Sequence, residues 1–161
     1  MDRLDFALRE STALLREKVS QLHPAVLKQS GLLRAVQDLA RTSAGRGDLK
    51  ITVQPDGWDE QTRTPYDELW YSAAREFLSN VTTHAHAHSA RVALHRGAAA
   101  IRLTVSDDGA GLSDGVLADK LAKGHIGIAA QRVRIEAAGG RFSVRPGHPG
   151  TVAEVELTDR S

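Results

Sequence analysis

The sequence contains no cysteine among its 161 residues. This absence excludes disulfides, thiolate metal sites and thiol catalysis together. No segment approaches the roughly 20 apolar residues of a membrane span, and the charged N-terminus lacks the apolar core of a signal peptide. We therefore expect a cytoplasmic domain that makes no direct contact with a membrane.

A strong excess of charge of either sign is also absent. Lys and Arg number 21, Asp and Glu number 20, and the formal net charge is +1. This balance argues against generic electrostatic binding to nucleic acid. The apolar fraction of 41% is enough to build a core, and the length predicts one domain of ordinary size with a small appendage.

The N-terminal part has helical apolar patterns. A narrow apolar stripe predicts a helix over residues 2–22, which must pack on its own domain or on a second copy of the chain. Pro24 ends this helix, because the residue before a proline is disfavoured in helical geometry. A helical pattern resumes after Gly31 and reaches Leu39. We place the main domain boundary between residues 23 and 48.

Beyond this boundary, alternation and turn signals predict a fold of strands and helices. The predicted elements are a strand at 49–54, a helix at 65–87, strands at 91–95 and 99–106, a short helix at 116–122, a helix at 126–138, and strands at 142–145 and 152–157. Hairpin-joined strands with few helices imply an α/β fold of the two-layer α+β kind. We expect a mixed, mostly antiparallel sheet with helices on one face, plus the N-terminal helix.

The long predicted helix carries a polar stripe beside an apolar one. Glu76, Asn80 and His84 recur every four residues and therefore share one side. The neighbouring stripe has core-facing spacing and consists of Trp70, Ala74, Phe77 and Val81. Taken alone, the polar stripe is better explained by contact with water, because polar groups are costly to bury without partners.

Three glycine-bearing segments follow this helix. In Asp107-Asp108-Gly109-Ala110-Gly111, an aspartate at a strand end could accept a hydrogen bond from an exocyclic amine, which favours adenine over guanine. Gly124-His125-Ile126-Gly127 lies where a helix begins, and backbone amides there suit a phosphate. Gly150-Thr151 opens the last strand. Each segment also occurs as ordinary turn or helix-start chemistry, and the sequence has neither a Walker P-loop nor a Rossmann glycine motif.

The ordered combination is more specific than its parts. Glu76-x-x-x-Asn80, Asp107-x-Gly109-x-Gly111, Gly124-x-x-Gly127 and Gly150-Thr151 resemble the N, G1, G2 and G3 boxes of the ATP-binding domain of two-component sensor histidine kinases. These kinases belong to the wider gyrase/Hsp90/histidine-kinase ATPase family. Further segments resemble the branch that partners NarL-type response regulators: His84-Ala85, Gly124 to Ala129, and Gln131-Arg132-Val133 through Gly139-Gly140. With a connector-like segment at residues 22–32, the resemblance covers about residues 15–157.

The resemblance implies roles for the matching residues. Glu76 would be the catalytic acidic residue next to the transferring phosphoryl group, and Asn80 would hold Mg²⁺ against the triphosphate of ATP. Asp107 would bind the adenine amino group. The other nucleotide-binding residues that it implies are His84, Gly109, Gly111, Gly124, His125, Gly127 and Thr151. A lid would run from about residue 112 to residue 123.

The resemblance also implies a place in a larger protein. Residues 1–30 would be the end of a dimerisation helix and its connector, and residues 31–161 the ATP-binding domain. The intact protein would be a homodimer that phosphorylates its own histidine from ATP and passes the phosphoryl group to a NarL-type response regulator. No match to the acceptor-histidine motif precedes residue 15, and His23 lies in the connector. We therefore expect this chain to bind ATP without phosphorylating itself.

Two departures and three alternatives stay open. Thr83 stands where many relatives have Lys or Arg, and His148-Pro149 stands where a second glycine is usual; both weaken the expected hold on the nucleotide. Thr83 favours a non-catalytic nucleotide-sensing or protein-interaction module. An anti-sigma-factor-like protein kinase is a further alternative, against which the connector argues. A zinc site is the third, because His84 and His88 would share a helix face, although no third ligand is evident.

Overall fold

Five strands form one mixed sheet in a computed structural model that describes residues 27–45, 47–84, 86–111 and 126–159. The strands are β1 (Lys50–Asp56), β2 (Ser89–Arg96), β3 (Ala100–Asp107), β4 (Arg141–Pro146) and β5 (Thr151–Thr158). The helices are α1 (27–44), α2 (Asp67–His84) and α3 (Ile126–Ala137). The helices predicted at 2–22 and 116–122 lie outside the described residues, and so does the predicted lid.

The sheet confirms the predicted fold class. Its strand order is β1-β2-β3-β5-β4. β1 and β2 are parallel, whereas the other neighbouring strands are antiparallel. Along β3, Ile101, Leu103 and Val105 are buried, and Arg102 between them is exposed. The helices therefore cover one face of the sheet, and the opposite face is polar. No helix in the described ranges is long and apolar enough to cross a membrane.

Helix α2 begins with a capping box. The backbone N–H and the hydroxyl of Thr64 both donate to Oδ1 of Asp67, at 3.1 and 2.7 Å, and the Tyr66 N–H donates to Thr64 Oγ1 at 3.2 Å. This reciprocal bonding satisfies donors that a helix start leaves unpaired. Burial raises the pKa of Asp67, while its bonds to Thr64 act in the opposite direction. The capping box thus fixes where α2 starts.

The apolar stripe of α2 forms part of the core, as predicted. Trp70 and Ala74 are fully buried, and Phe77 and Val81 are 3% and 6% exposed. The same hydrophobic cluster includes Leu32 and Val36 of α1, as well as inward-facing residues of the sheet. This packing holds the polar stripe of α2 in a fixed direction.

The predicted boundaries of α2 and β1 were wrong. Helix α2 ends at His84 and not at residue 87. The backbone N–H of His88 instead donates to Oδ1 of Asp108 at 2.8 Å, and its carbonyl accepts from Lys50. β1 also continues through Pro55, where a break was predicted. An edge strand tolerates a proline, because one side of its backbone needs no partner.

The early end of α2 contradicts the assumption behind the predicted zinc site, which was that His84 and His88 share one helix face. His84 and His88 do not share a helix face, because His88 lies beyond the end of α2. Within the described residues, no group of three or more His, Cys, Asp or Glu side chains could hold a metal ion.

The end of α3 agrees with its predicted glycine signal. The Gly140 N–H donates to the Ile135 carbonyl at 2.9 Å, and the Gly139 N–H donates to the Glu136 carbonyl at 3.0 Å. This bonding, with Gly139 at φ +82°, ends the helix in the manner of a Schellman motif. The chain then turns directly into β4.

Candidate functional site

Asp107 is the last residue of β3 and is partly buried. Its Oδ1 atom accepts a hydrogen bond from the Gly109 N–H at 2.8 Å. Burial raises the pKa of Asp107, whereas backbone hydrogen bonds from Gly109 and Thr151 lower it in part. A carboxylate has about four acceptor positions, so this side chain keeps capacity for another donor. It is therefore a suitable partner for an amine on a planar base.

The loops around Asp107 are packed against each other. A Cβ atom at Gly111 would lie 3.0 Å from the carbonyl oxygen of Gly150. The Gly150 carbonyl in turn accepts a hydrogen bond from the Gly147 N–H at 2.8 Å. The structure thus brings Asp107, Gly109, Gly111 and Thr151 together, although the first three lie at the end of β3 and in the loop after it and Thr151 opens β5.

Asp108 supports this loop, a role that the motifs of the sequence did not predict. Its Oδ1 accepts from the His88 and Ser89 N–H groups at 2.8 and 2.9 Å, and its Oδ2 accepts from the Ser89 hydroxyl at 2.8 Å. These bonds lower the pKa of Asp108. They tie the loop after β3 to the start of β2. In the sequence, this role of Asp108 is indicated only by the second carboxylate that directly follows Asp107.

Glu76 lies against the first turn of α3. A Cβ atom at Gly127 would overlap the carboxylate of Glu76, so a larger residue at this position would displace the end of the Glu76 side chain. Amide groups and the helix dipole at a helix N-terminus favour a negative charge there. Asn80 lies one turn further along α2 and is partly buried. Helix α2 contacts both β3, which carries Asp107, and α3, which carries Gly127. It therefore links the residues around Asp107 to the contact between Glu76 and Gly127.

The site predicted from the sequence includes three more residues, Gly124, His125 and His84. Gly124 and His125 lie outside the described residues, and so does the side chain of His84. Thr83 is exposed near the end of α2. The described part of the site therefore consists of a group around Asp107 and a group around Glu76.

Comparisons with known proteins show relatives of this chain among the sensor histidine kinases. No protein-family model matches the sequence. The chain is 39% identical over 150 residues to the sensor histidine kinase NarS of Mycobacterium tuberculosis, which is 93% of this chain and 35% of that protein. It is 27% identical over 151 residues to the sensor histidine kinase MctS of Rhizobium johnstonii, which is 94% of this chain and 32% of that protein. The chain therefore spans about a third of the length of these curated relatives.

The fold agrees with this relationship. The crystal structure of the ATP-binding domain of PrrB from Mycobacterium tuberculosis matches with a TM-score of 0.64 and 20% identity, over 82% of this chain and 94% of that one. At this identity the likeness establishes the fold alone. Homology and fold together show that the chain is related over 93% of its length to part of a sensor histidine kinase and has the fold of histidine kinase ATP-binding domains.

Proposed function

We propose that this domain binds ATP with Mg²⁺ and supplies the γ-phosphoryl group for histidine phosphorylation in the intact kinase. The observation that carries the proposal is the Asp107 carboxylate at the end of β3. It is partly buried, and the Gly109 amide and the Thr151 backbone fix its direction. A fixed acceptor selects adenine, which offers an exocyclic amine, over guanine, which has a carbonyl at the corresponding ring position.

The phosphates would lie towards α2 and α3. Asn80 would hold Mg²⁺, because its amide oxygen is the hard kind of ligand that this ion accepts. In the described residues, no group of carboxylates and imidazoles could enclose a metal ion. Phosphate oxygens and water would therefore complete the coordination, as is common for Mg²⁺. The bound ion would neutralise charge on the phosphates. His84, Gly124 and His125 complete the proposed site by resemblance.

The proposed reaction is a phosphoryl transfer to an imidazole. A ring nitrogen attacks the γ-phosphorus, the bond to the ADP oxygen breaks, and the N–H proton of the ring leaves to a base. Glu76 is the carboxylate that we place beside the transferring group. Such a transfer needs positioning and charge neutralisation more than covalent chemistry from the protein. The acceptor histidine would lie in a dimerisation domain of the homodimeric kinase, and a NarL-type response regulator would receive the phosphoryl group.

Titration calorimetry with ATP and GTP in the presence of Mg²⁺ tests nucleotide binding. We expect binding that strongly favours ATP, because adenine offers an amine at the ring position where guanine has a carbonyl, which cannot donate to Asp107. An absence of ATP binding at millimolar concentration would refute the proposal. Equal affinity for GTP would refute the assignment of Asp107 to the base.

A second experiment separates catalysis from nucleotide sensing. The chain is mixed with labelled ATP and a separate fragment that carries an acceptor-histidine helix hairpin. Transfer of label to that fragment is the result expected of a kinase domain. ATP binding without transfer would favour the nucleotide-sensing alternative. The observation that supports this alternative is the exposed Thr83 near the end of α2, at a position where the family resemblance implies a positive charge.

A further inference from the structure

Helices α2 and α3 meet at two contacts that are stacked one turn apart. Nε2 of Gln131 donates to Oγ of Ser72 at 2.6 Å. The second contact is that of the Glu76 carboxylate with Gly127. On each helix the two contacting residues are four positions apart, which is about one turn. Sequence order is reversed between the helices, so the two run antiparallel through these contacts.

The Ser72–Gln131 contact is buried and specific. Gln131 is 7% exposed, and its Oε1 atom has no hydrogen-bond partner within the described ranges. Nη1 of Arg134 also donates to the Ser72 hydroxyl, at 3.3 Å. A buried amide that loses its partner carries the full cost of its desolvation. The hydroxyl of Ser72 therefore resists any separation of the two helices at this level.

We propose that Ser72 and Gln131 are positioning residues that set the distance between Glu76 and the first turn of α3. This inference rests on the proposed function, in which the Glu76 end of the site faces the phosphates of ATP. The contact acts at the neighbouring turn of both helices, so its loss changes the Glu76–Gly127 contact before it changes anything at Asp107. Displacements of about 1 Å at a reacting group are enough to impair a phosphoryl-transfer site.

Ser72→Ala tests the inference by removing the hydroxyl from a helical position that alanine suits. We expect the affinity for ATP with Mg²⁺ to fall about two- to tenfold, the range of one hydrogen bond. The affinity for AMP, measured by saturation-transfer NMR, should stay unchanged, because AMP lacks the outer phosphates. Ser72→Thr keeps the hydroxyl and should restore ATP affinity. Ser79→Ala makes the same change on the exposed side of α2 and should have no effect.

A second readout needs no nucleotide. The amide resonance of Gly127 should move when Glu76→Gln removes the charge of the carboxylate that lies against this residue. The movement caused by Glu76→Gln should persist when it is combined with Ser79→Ala and shrink when it is combined with Ser72→Ala. Gln131→Leu, which keeps the buried volume but removes the hydrogen bond, should reproduce both effects of Ser72→Ala.

The outcomes separate this inference from the proposed function. If the native chain binds no ATP, the proposed function fails, and the Gly127 resonance still tests the spacing of the helices. If the native chain binds ATP but Ser72→Ala weakens ATP and AMP equally, or weakens neither, the inference is overturned. An unchanged Gly127 response in both Ser72→Ala and Gln131→Leu would also overturn it.

Discussion

Gly150 lies so close to the backbone carbonyl of Asp107 that a Cβ atom at position 150 would overlap it. Gly150 also has a φ angle of +85°, which residues with side chains rarely adopt. The carbonyl belongs to the residue whose carboxylate we assign to adenine. The turn before β5 therefore supports the backbone of the proposed base-binding residue.

Gly150→Ala should destabilise the domain by about 2–4 kcal/mol. Backbone strain at positive φ accounts for about 1 kcal/mol of this loss, and the overlap with the Asp107 carbonyl for the rest. Denaturant-induced unfolding, followed by circular dichroism, gives the free energy of unfolding of the variant and the native chain.

Gly139 offers a matched control for this prediction. Its φ angle of +82° is nearly the same, but no atom would lie within 4 Å of an added Cβ. Gly139→Ala should therefore cost about 1 kcal/mol, from backbone strain alone. Equal losses in the two variants would show that the overlap at Asp107 contributes nothing.

Asp107→Asn should weaken ATP and ADP alike, by about tenfold or more, because hydrogen bonds to a charged group are worth more than neutral ones. Both nucleotides share the adenine end, where the carboxylate acts. Calorimetric titration with each nucleotide measures the two losses. A much larger loss for ATP than for ADP would place Asp107 near the phosphates and contradict the assignment.

The same variant should change how stability depends on pH. The pKa of Asp107 is raised above its ordinary value of 3.8 by burial. The folded state thus holds this proton more tightly, so the contribution to stability is present below the ordinary value and is lost as pH rises through the raised pKa. The amide introduced by Asp107→Asn cannot titrate, so the free energy of unfolding of the variant should lack this decline. Unfolding curves collected from about pH 3 to pH 7 measure it.

Much of the fold follows from local sequence patterns. Alternating apolar residues and turn signals predicted the strands, and the spacing of Trp70, Ala74, Phe77 and Val81 predicted the buried face of α2. The end of α2 could not be predicted in this way, because the residues after His84 contain no strong helix breaker. Hydrogen bonds from His88 and Ser89 to Asp108 compete there with helix propensity, and they depend on a distant part of the chain.

The residues of the candidate site could not be predicted from local patterns alone. Its residues Glu76, Asn80 and Asp107 were singled out by the order of motifs along the chain, since each motif alone fits ordinary surface chemistry. The contacts of Ser72 with Gln131 and of Glu76 with Gly127 join residues more than 50 positions apart. No spacing rule within one helix predicts which residues of two helices will meet.

Asp108→Ala should make the domain less sensitive to acid. The pKa of Asp108 is lowered by hydrogen bonds from Ser89 and His88. Its contribution to stability is therefore present above the ordinary aspartate pKa and is lost as pH falls through the lowered value. The variant should be less stable than the native chain at neutral pH, and the difference should shrink below about pH 4. Asp48→Ala, at an exposed aspartate before β1, is the control.

Thr64→Ala should destabilise the domain by about 1 kcal/mol, the usual cost of losing a helix N-cap. The hydroxyl of Thr64 both accepts from the Tyr66 N–H and donates to Asp67. Thr64→Ser keeps these bonds and should retain most of the stability, and Thr82→Ala removes an exposed threonine hydroxyl within α2 for comparison. Thermal or denaturant unfolding would contradict the prediction if Thr64→Ala and Thr82→Ala lost equal stability.

Asn80→Ala should raise the Mg²⁺ concentration needed for half-maximal ATP binding by about tenfold, the lower range for losing a group that holds a metal. The affinity for ATP without Mg²⁺ should change little, because the amide carries no charge. Asn80→Asp adds a negative charge next to the phosphates, so it should weaken ATP binding without Mg²⁺ and recover when the ion neutralises that charge. Ser79→Ala, at the neighbouring exposed position, is the control for both. An unchanged Mg²⁺ dependence in both Asn80 variants would remove Asn80 from the metal site while leaving the Asp107 assignment intact, since the two residues act at different ends of ATP.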